Sequence, residues 1–128
     1  MGLRDYLTSK VMPSGGIGVP EALSLLASGA TLVDVRTRGE YEAGHAPGAR
    51  LVDPKDLTRD AFGAVHGDNP LAEPDGAFVL ICDTGLRSGH LVKAVREQGY
   101  RAEFITGGLA AWRAEGQVLI PGPPRPPR

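Results

Sequence analysis

The pattern of hydrophobic and polar positions predicts strands that alternate with helices. Apolar runs at residues 31–35, 50–52, 78–81 and 103–105 have the length and composition of strands. Apolar residues at helical spacing, or favourable helix starts, mark residues 20–27, 39–43, 54–62, 91–98 and the segment around Leu109 and Trp112. Short apolar segments at 17–19 and 118–120 are expected to pair with sheet edges. Such alternation is typical of an α/β protein with a parallel sheet covered by helices on both faces.

The chain of 128 residues has room for one domain of ordinary size. We expect an N-terminal extension at residues 1–16, with a short helix within 1–12, and one domain at residues 17–120. Residues 121–128 are rich in proline and are predicted to be an extended or disordered tail. A ligand for a partner that binds polyproline segments is the alternative for this tail.

The charge balance and the cysteine content narrow the binding partners and the cellular compartment that we expect for this protein. The 15 acidic and 14 basic residues give a net charge of -1, which argues against broad attraction to nucleic acid or to anionic membranes. A single cysteine excludes an internal disulfide and favours a reducing compartment. No segment has the length and apolarity of a membrane span or the pattern of a signal peptide, so we expect a cytoplasmic protein.

The cysteine, Cys82, occupies the most informative position. It follows the apolar strand at 78–81 and precedes the helix predicted at 91–98. A helix N-terminus presents unpaired N–H groups and a partial positive charge, which bind anions and favour a thiolate. Gly85 and Gly89 permit backbone conformations in which successive N–H groups converge on one point. The sequence therefore predicts a reactive, anion-binding thiolate rather than a buried structural cysteine.

Neighbouring side chains modify this prediction. Arg87 adds a permanent positive charge beside the positive end of a helix, a position that is unfavourable unless an anion binds there. Ser88 is a candidate cap of the helix. Asp83 acts in the opposite direction, since a carboxylate beside the thiol disfavours a thiolate and an anionic substrate. The candidate site therefore consists of the nucleophile Cys82 and the loop residues Asp83, Thr84, Gly85, Leu86, Arg87 and Ser88.

Other polar residues are expected to support the fold. Asp34 and Arg36 lie at and just after a strand end, on the sheet edge predicted to hold Cys82, and are interpreted as an ion pair that braces the loops. For His45 we expect a packing or hydrogen-bonding role, and for Trp112 a place in the core. The cysteine and the histidines show no spacing typical of metal ligands.

Four residues separate Cys82 from Arg87. Cysteine phosphatases have one residue more between their cysteine and arginine, and their ring of amides fits a tetrahedral phosphate. The smaller ring suits one additional sulfur atom on the cysteine better than a phosphoryl group.

Three motifs together resemble the rhodanese family of sulfurtransferases. Residues 82–88 resemble its active-site loop, residues 32–36 with Glu40-Tyr41 and 44–49 resemble its first signature, and Gly107-Gly108 with Trp112 and Gly116 resemble its last. The resemblance implies a five-stranded parallel sheet flanked by helices and a double displacement that needs no cofactor. Cys82 would take sulfur from a small anionic donor such as thiosulfate and pass it to cyanide, a thiol or a protein cysteine.

Two residues depart from thiosulfate-using relatives. Asp83 stands in the loop where some of them carry a basic side chain, and Glu40 stands where some carry an arginine. Both changes weaken attraction for a dianion, by about 1–4 kcal/mol at contact distance. The alternatives are a module that binds an anion or carries sulfur without turnover, and a phosphatase or arsenate reductase of related fold.

Overall fold

The computed structural model describes residues 15–67, 69–73 and 76–124. Helices and strands alternate there as predicted, in the order α1 (Val19–Ala27), β1 (Thr31–Asp34), α2 (Arg38–Ala43), β2 (Arg50–Leu51), α3 (Pro54–Arg59), α4 (Ala61–His66), β3 (Phe78–Ile81), α5 (Leu86–Glu97), β4 (Ala102–Phe104) and α6 (Gly108–Ala114). The helix predicted within residues 1–12 and the last four residues of the predicted tail lie outside the described residues.

The strands form a parallel sheet in the order β2-β1-β3-β4, which is four strands within the described residues and not the five that were expected. At the position of the fifth strand, Ile17 makes a single parallel bridge to Ile105. Its N–H donates to the carbonyl oxygen of Phe104, and its own carbonyl accepts from Thr106, both at 2.9 Å. Pro20 lies in the first turn of α1, so the chain enters the helix directly after this bridge and the edge strand cannot extend.

Both faces of the sheet are buried, as the apolar strands predicted. All four residues of β3 are buried. Val33 and Leu80 pack into a core on one face, whereas Leu32 and Val79 pack into a second core on the other. Trp112 belongs to the second core and is 4% exposed, which confirms its predicted place.

The single helix predicted at residues 54–62 is in fact two helices. Asp60 ends α3 and caps α4, because its carboxylate accepts a hydrogen bond from the N–H of Gly63 at 3.1 Å. Leu57 is fully buried as predicted, while Phe62 is only partly buried against the same core.

Helix α5 begins at Leu86, five residues before the predicted start at residue 91. Gly85 precedes it with a left-handed backbone (φ +93°) and no side chain caps the helix, so the sequence carries no capping signal there. Gly99 follows the helix with φ +96°, the left-handed end that was predicted.

The segment at 118–120 was expected to pair with an edge of the sheet, but it does not. Ile120 forms an antiparallel bridge with His45, which lies in the connection between α2 and β2. Two hydrogen bonds of 2.8 and 2.9 Å join their backbones. Beyond it, the N–H of Gly122 donates to the carbonyl of Glu42 at 3.0 Å, so the described start of the Pro-rich segment contacts α2. Among the described residues, no helix has the length and apolarity needed to cross a membrane.

Candidate active site

Cys82 follows the last residue of β3, at the edge of the sheet where parallel strands end, and its side chain is buried (1% exposed). Its carbonyl oxygen accepts a hydrogen bond of 2.8 Å from the N–H of Leu109 in α6. Gly108 allows this close approach, because a Cβ atom on it would collide with the carbonyl of Cys82. The turn that holds the thiol is therefore fixed from two sides, by β3 and by α6.

The start of α5 surrounds the sulfur with hydrogen-bond donors. The N–H of Gly85 points to Sγ of Cys82 at 3.2 Å, and the N–H of Ser88 does so at 3.5 Å. The hydroxyl of Ser88 lies 3.4 Å from the same sulfur and is fully buried. The convergence of backbone donors on the sulfur is thus confirmed, in the arrangement that stabilises a sulfur anion.

Two details of the predicted loop were wrong. Gly89 does not shape the cradle, since it lies within α5 and its N–H donates to the carbonyl of Gly85. Ser88 does not cap the helix, because it lies one turn inside α5 and faces the sulfur instead. Thr84 is exposed at the mouth of the loop, and its hydroxyl accepts a hydrogen bond of 3.4 Å from the N–H of Leu86.

Arg87 is held by a carboxylate of the protein itself. Its two terminal nitrogens donate to the two carboxylate oxygens of Glu40, at 2.9 and 3.0 Å. Glu40 also completes a capping box with Thr37 at the start of α2. Its hydrogen bonds with Arg87 hold the pKa of the Glu40 carboxyl well below its usual range, although partial burial acts against this. The anion that the position of Arg87 requires is therefore present in the folded chain.

Asp83 joins this pair to a second arginine. One of its oxygens accepts from Arg87 and the other from Arg36, both at 3.2 Å. Burial, and then the neighbouring carboxyl group of Glu40, raise the pKa of Asp83 above its usual value, while the two arginines act in the opposite direction. Asp83 thus links the loop to the end of β1.

Asp34 and Arg36 form the ion pair that was predicted. The guanidinium of Arg36 donates to both oxygens of Asp34 at 2.9–3.1 Å and to the carbonyl of Gly44 at 2.7 Å. Asp34 is fully buried and Arg36 is 7% exposed. The pair joins the end of β1 to the end of α2 and continues through Asp83 to the loop, so it braces the site as expected.

A cavity of about 500 Å³ lies beside the arginines. Its lining residues include Arg36, Arg38 and Arg87 together with the apolar Val35 and Leu51. Glu40 and Asp83 contact the arginines without lining this cavity. Of the loop residues 82–88, Arg87 lines this cavity and Cys82 does not.

The remaining candidates lie apart from the sulfur. The ring of His45 stacks on Tyr41 with centroids 3.7 Å apart, and its Nδ1 lies 2.8 Å from the Tyr41 carbonyl, which confirms a packing and hydrogen-bonding role. Within residues 15–67, 69–73 and 76–124, no group of three histidine, cysteine or acidic side chains is arranged to hold a metal ion.

Sequence reasoning missed two contacts of this site. It identified Glu40 as a charge that repels anions but did not pair it with Arg87, which lies 47 positions further along the chain. The pattern Thr37-x-x-Glu40, a capping box before a short helix, was the available signal that Glu40 is fixed in place. No local pattern indicated the contact of the Ser88 hydroxyl with the sulfur.

Comparison with known proteins identifies the family. The model of the rhodanese-like domain matches residues 19–115, so the chain belongs to the rhodanese-like family, as the motifs suggested. Over 87 residues, or 67% of this chain, it is 34% identical to the probable adenylyltransferase/sulfurtransferase MoeZ of Mycobacterium tuberculosis. The chain spans about a fifth of that protein (21%).

Solved structures agree with this assignment. The human single-domain sulfurtransferase TSTD1 superposes with a TM-score of 0.63 at 32% identity, covering 80% of this chain and 97% of that one. A rhodanese-related protein of Thermoplasma volcanium gives a TM-score of 0.66, covering 84% and 98% of the two chains. Its identity of 21% makes it evidence for the fold alone.

Proposed function

We propose that this protein is a sulfurtransferase in which Cys82 carries the transferred sulfur as a persulfide. The observation that supports it best is the buried sulfur with two backbone N–H groups directed at it, 3.2 and 3.5 Å away, at the start of α5. The similarity to proteins named as sulfurtransferases, TSTD1 and MoeZ, points to the same class of chemistry.

The proposed reaction proceeds in two displacements at one sulfur. The Cys82 thiolate attacks the outer sulfur of a donor such as thiosulfate, the S–S bond of the donor breaks, and sulfite leaves with the bonding pair. The outer sulfur, now bound to Cys82, carries the negative charge, and it is attached to the Sγ at which the amides of Gly85 and Ser88 are directed. A thiophilic acceptor (cyanide, a thiol or a protein cysteine) then attacks this outer sulfur, and the Cys82 thiolate is regenerated.

The arrangement of the loop explains how the nucleophile can work without a base. Donors on Gly85 and Ser88 and the N-terminus of α5 all favour negative charge at Sγ. A thiol that cycles in this way fits a reducing compartment such as the cytoplasm.

A sulfur carrier without turnover is the second candidate, and one observation favours it. Both terminal nitrogens of Arg87 donate to Glu40 or Asp83, so a small anionic substrate would have to compete with these carboxylates for them. A carrier would accept sulfur on Cys82 and release it only to a partner protein. A phosphatase is less well supported, because a phosphate would need the same guanidinium.

Steady-state transfer separates these functions. Purified protein is mixed with thiosulfate or an alkyl persulfide and with cyanide, and thiocyanate is measured. Turnover that is abolished in Cys82→Ala and nearly abolished in Cys82→Ser supports the enzyme. A persulfide on Cys82 without thiocyanate from either donor supports the carrier, and phosphate release from an aryl phosphate that is lost in Cys82→Ser supports the phosphatase.

A further inference from the structure

Glu40 and Asp83 together engage both terminal nitrogens of Arg87. One nitrogen donates to Glu40 at 2.9 Å, and the other donates to Glu40 at 3.0 Å and to Asp83 at 3.2 Å. A sulfonate or thiosulfate that binds Arg87 through both terminal nitrogens would need the same donors. Such a substrate must therefore compete with the bidentate carboxylate of Glu40 for this side of the guanidinium.

Glu40 is not a loosely held partner. One of its carboxylate oxygens accepts from the N–H and the hydroxyl of Thr37, both at 3.0 Å, while the Thr37 hydroxyl accepts from the N–H of Glu40. The capping box thus fixes the carboxylate at the start of α2 and presents it to Arg87. Displacing it would break contacts with two residues at once.

The charge around the loop is unfavourable for a dianion even before displacement. The connected network contains the guanidiniums of Arg36 and Arg87 against the carboxylates of Asp34, Glu40 and Asp83, so it is negative when all five are ionised. The backbone amides directed at the sulfur stabilise one negative charge on it. The site is thus built for the charge of the cysteine sulfur and not for two further charges on the donor.

We propose that Glu40 determines donor specificity by holding Arg87, so that the enzyme favours alkyl persulfides over dianionic thiosulfate as sulfur donors. In this reaction the Cys82 thiolate attacks the outer sulfur of R–S–SH. The S–S bond of the donor breaks, the alkyl thiolate leaves with the bonding pair, and the outer sulfur remains on Cys82 with its proton. No guanidinium is needed for a sulfonate group, because the donor has none.

This inference rests on the proposed sulfur transfer, and Glu40→Gln tests it separately. Glutamine keeps the capping box, since it also accepts from the Thr37 backbone, but it removes the charge that holds Arg87. The matched control is Glu97→Gln, which removes the same charge from an exposed glutamate at the end of α5 that lies farthest from Cys82. Each protein is assayed with cyanide as acceptor and with thiosulfate or 2-hydroxyethyl persulfide as donor.

We expect Glu40→Gln to raise kcat/KM for thiosulfate by about tenfold, mainly through KM, because Arg87 becomes available to the donor. For the alkyl persulfide we expect a change of about twofold at most, and Glu97→Gln should behave as the wild type with both donors. If Glu40 had only a structural role, Glu40→Gln would change kcat/KM for both donors by the same factor. That result, or an unchanged kcat/KM for thiosulfate, would overturn the inference.

Two additional variants keep the test decisive. The double variant Glu40→Gln, Arg87→Ala should lose the gain for thiosulfate, because the gain requires the released guanidinium. If Glu40→Gln is poorly folded, Glu40→Asp keeps the charge but shortens the side chain by one methylene, which withdraws the carboxylate from Arg87 and should shift the donor ratio in the same direction. An unshifted ratio in Glu40→Asp would then count against the inference. Absence of a Cys82 persulfide with either donor in the wild type would instead refute the proposed function itself.

Discussion

Arg87 donates two hydrogen bonds, of 2.9 and 3.0 Å, to the carboxylate of Glu40, which precedes it by 47 positions. This pair connects the start of α2 to the first turn of α5, the helix whose N–H groups face the sulfur of Cys82. It also places the negative charge of Glu40 next to Arg87, the arginine of the loop 82–88. The pair therefore links the stability of the site to the kind of donor that it can accept.

The Glu40–Arg87 pair is expected to contribute modestly to stability, because each side chain is 32% exposed. Arg87→Ala should lower the free energy of unfolding by about 1 kcal/mol, since it leaves Glu40 and Asp83 adjacent without a shared cation. The double variant Glu40→Gln, Arg87→Ala should lose less than the two single losses added together. Urea denaturation of the four proteins gives the coupling free energy, and strictly additive losses would show that the pair is energetically silent.

Ser88 should matter for reaction rate more than its size suggests. Ser88→Ala removes the hydroxyl that lies 3.4 Å from the sulfur, and a hydrogen bond to an anion is typically worth about 1.5–3 kcal/mol. We expect persulfide formation on Cys82 to slow by about tenfold in single-turnover experiments. Ser28→Ala removes an exposed hydroxyl that bonds only to the carbonyl of Ser24, and its rate should match the wild type. Equal rates in both variants would exclude a role for the Ser88 hydroxyl.

Two glycines with positive φ allow the cost of backbone strain to be distinguished from the cost of a steric collision. A Cβ on Gly108 (φ +54°) would run into the carbonyl of Cys82, whereas a Cβ on Gly116 (φ +81°) would meet no atom within 4 Å. Gly116→Ala should therefore cost only the backbone strain, about 1 kcal/mol, while Gly108→Ala should cost about 3 kcal/mol or more and reduce sulfur transfer. Thermal and urea denaturation measure the loss of stability in each variant. Similar losses in the two variants would mean that α6 is not packed tightly against the loop.

His66 should make the fold sensitive to mild acid. Burial, and then the charge of Arg50, lower the pKa of His66 below its ordinary 6.5. The unfolded chain therefore takes up a proton at His66 before the folded chain does, so this contribution to stability is complete above about pH 6.5 and is lost as the pH falls below it.

Replacement of His66 by glutamine tests this sign. The melting temperature of the wild type should fall more than that of His66→Gln when the pH is lowered from about 7.5 to about 5.5. The glutamine variant will start lower at neutral pH, because the His66 ring packs beside Phe62 and Phe78. Only the difference between the two proteins in the slope of melting temperature against pH is informative. Parallel pH profiles would contradict the lowered pKa of His66.

The sequence predicted much of this molecule where local chemistry decides the outcome. The runs around Val33 and Leu80 are apolar on both faces and form central strands, as expected. The position of Cys82 between strand and helix was likewise evident. Asp60 carried a readable signal, since an aspartate that caps a helix marks the break between α3 and α4.

Other features depend on contacts between distant segments and were not predictable in this way. Helix α5 begins at Leu86, and its first turn includes the buried Ser88 and Gly89, which have little intrinsic preference for helix. Glu40 and Arg87 belong to the helices that follow β1 and β3, and the pairing of these two strands brings them together. The expected fifth strand reduces to one bridge at Ile17, because Pro20 starts α1 immediately afterwards.

The central claim is that Cys82 carries sulfur through a persulfide, and the mass of the protein tests it most directly. The reduced protein is treated with a stoichiometric amount of alkyl persulfide or thiosulfate, and the intact protein and its peptides are weighed before and after cyanide is added. We predict a gain of one sulfur atom on the peptide that contains Cys82, and its loss to cyanide as an equal amount of thiocyanate. An unmodified Cys82 with both donors, or added sulfur that cyanide does not remove, would contradict the account.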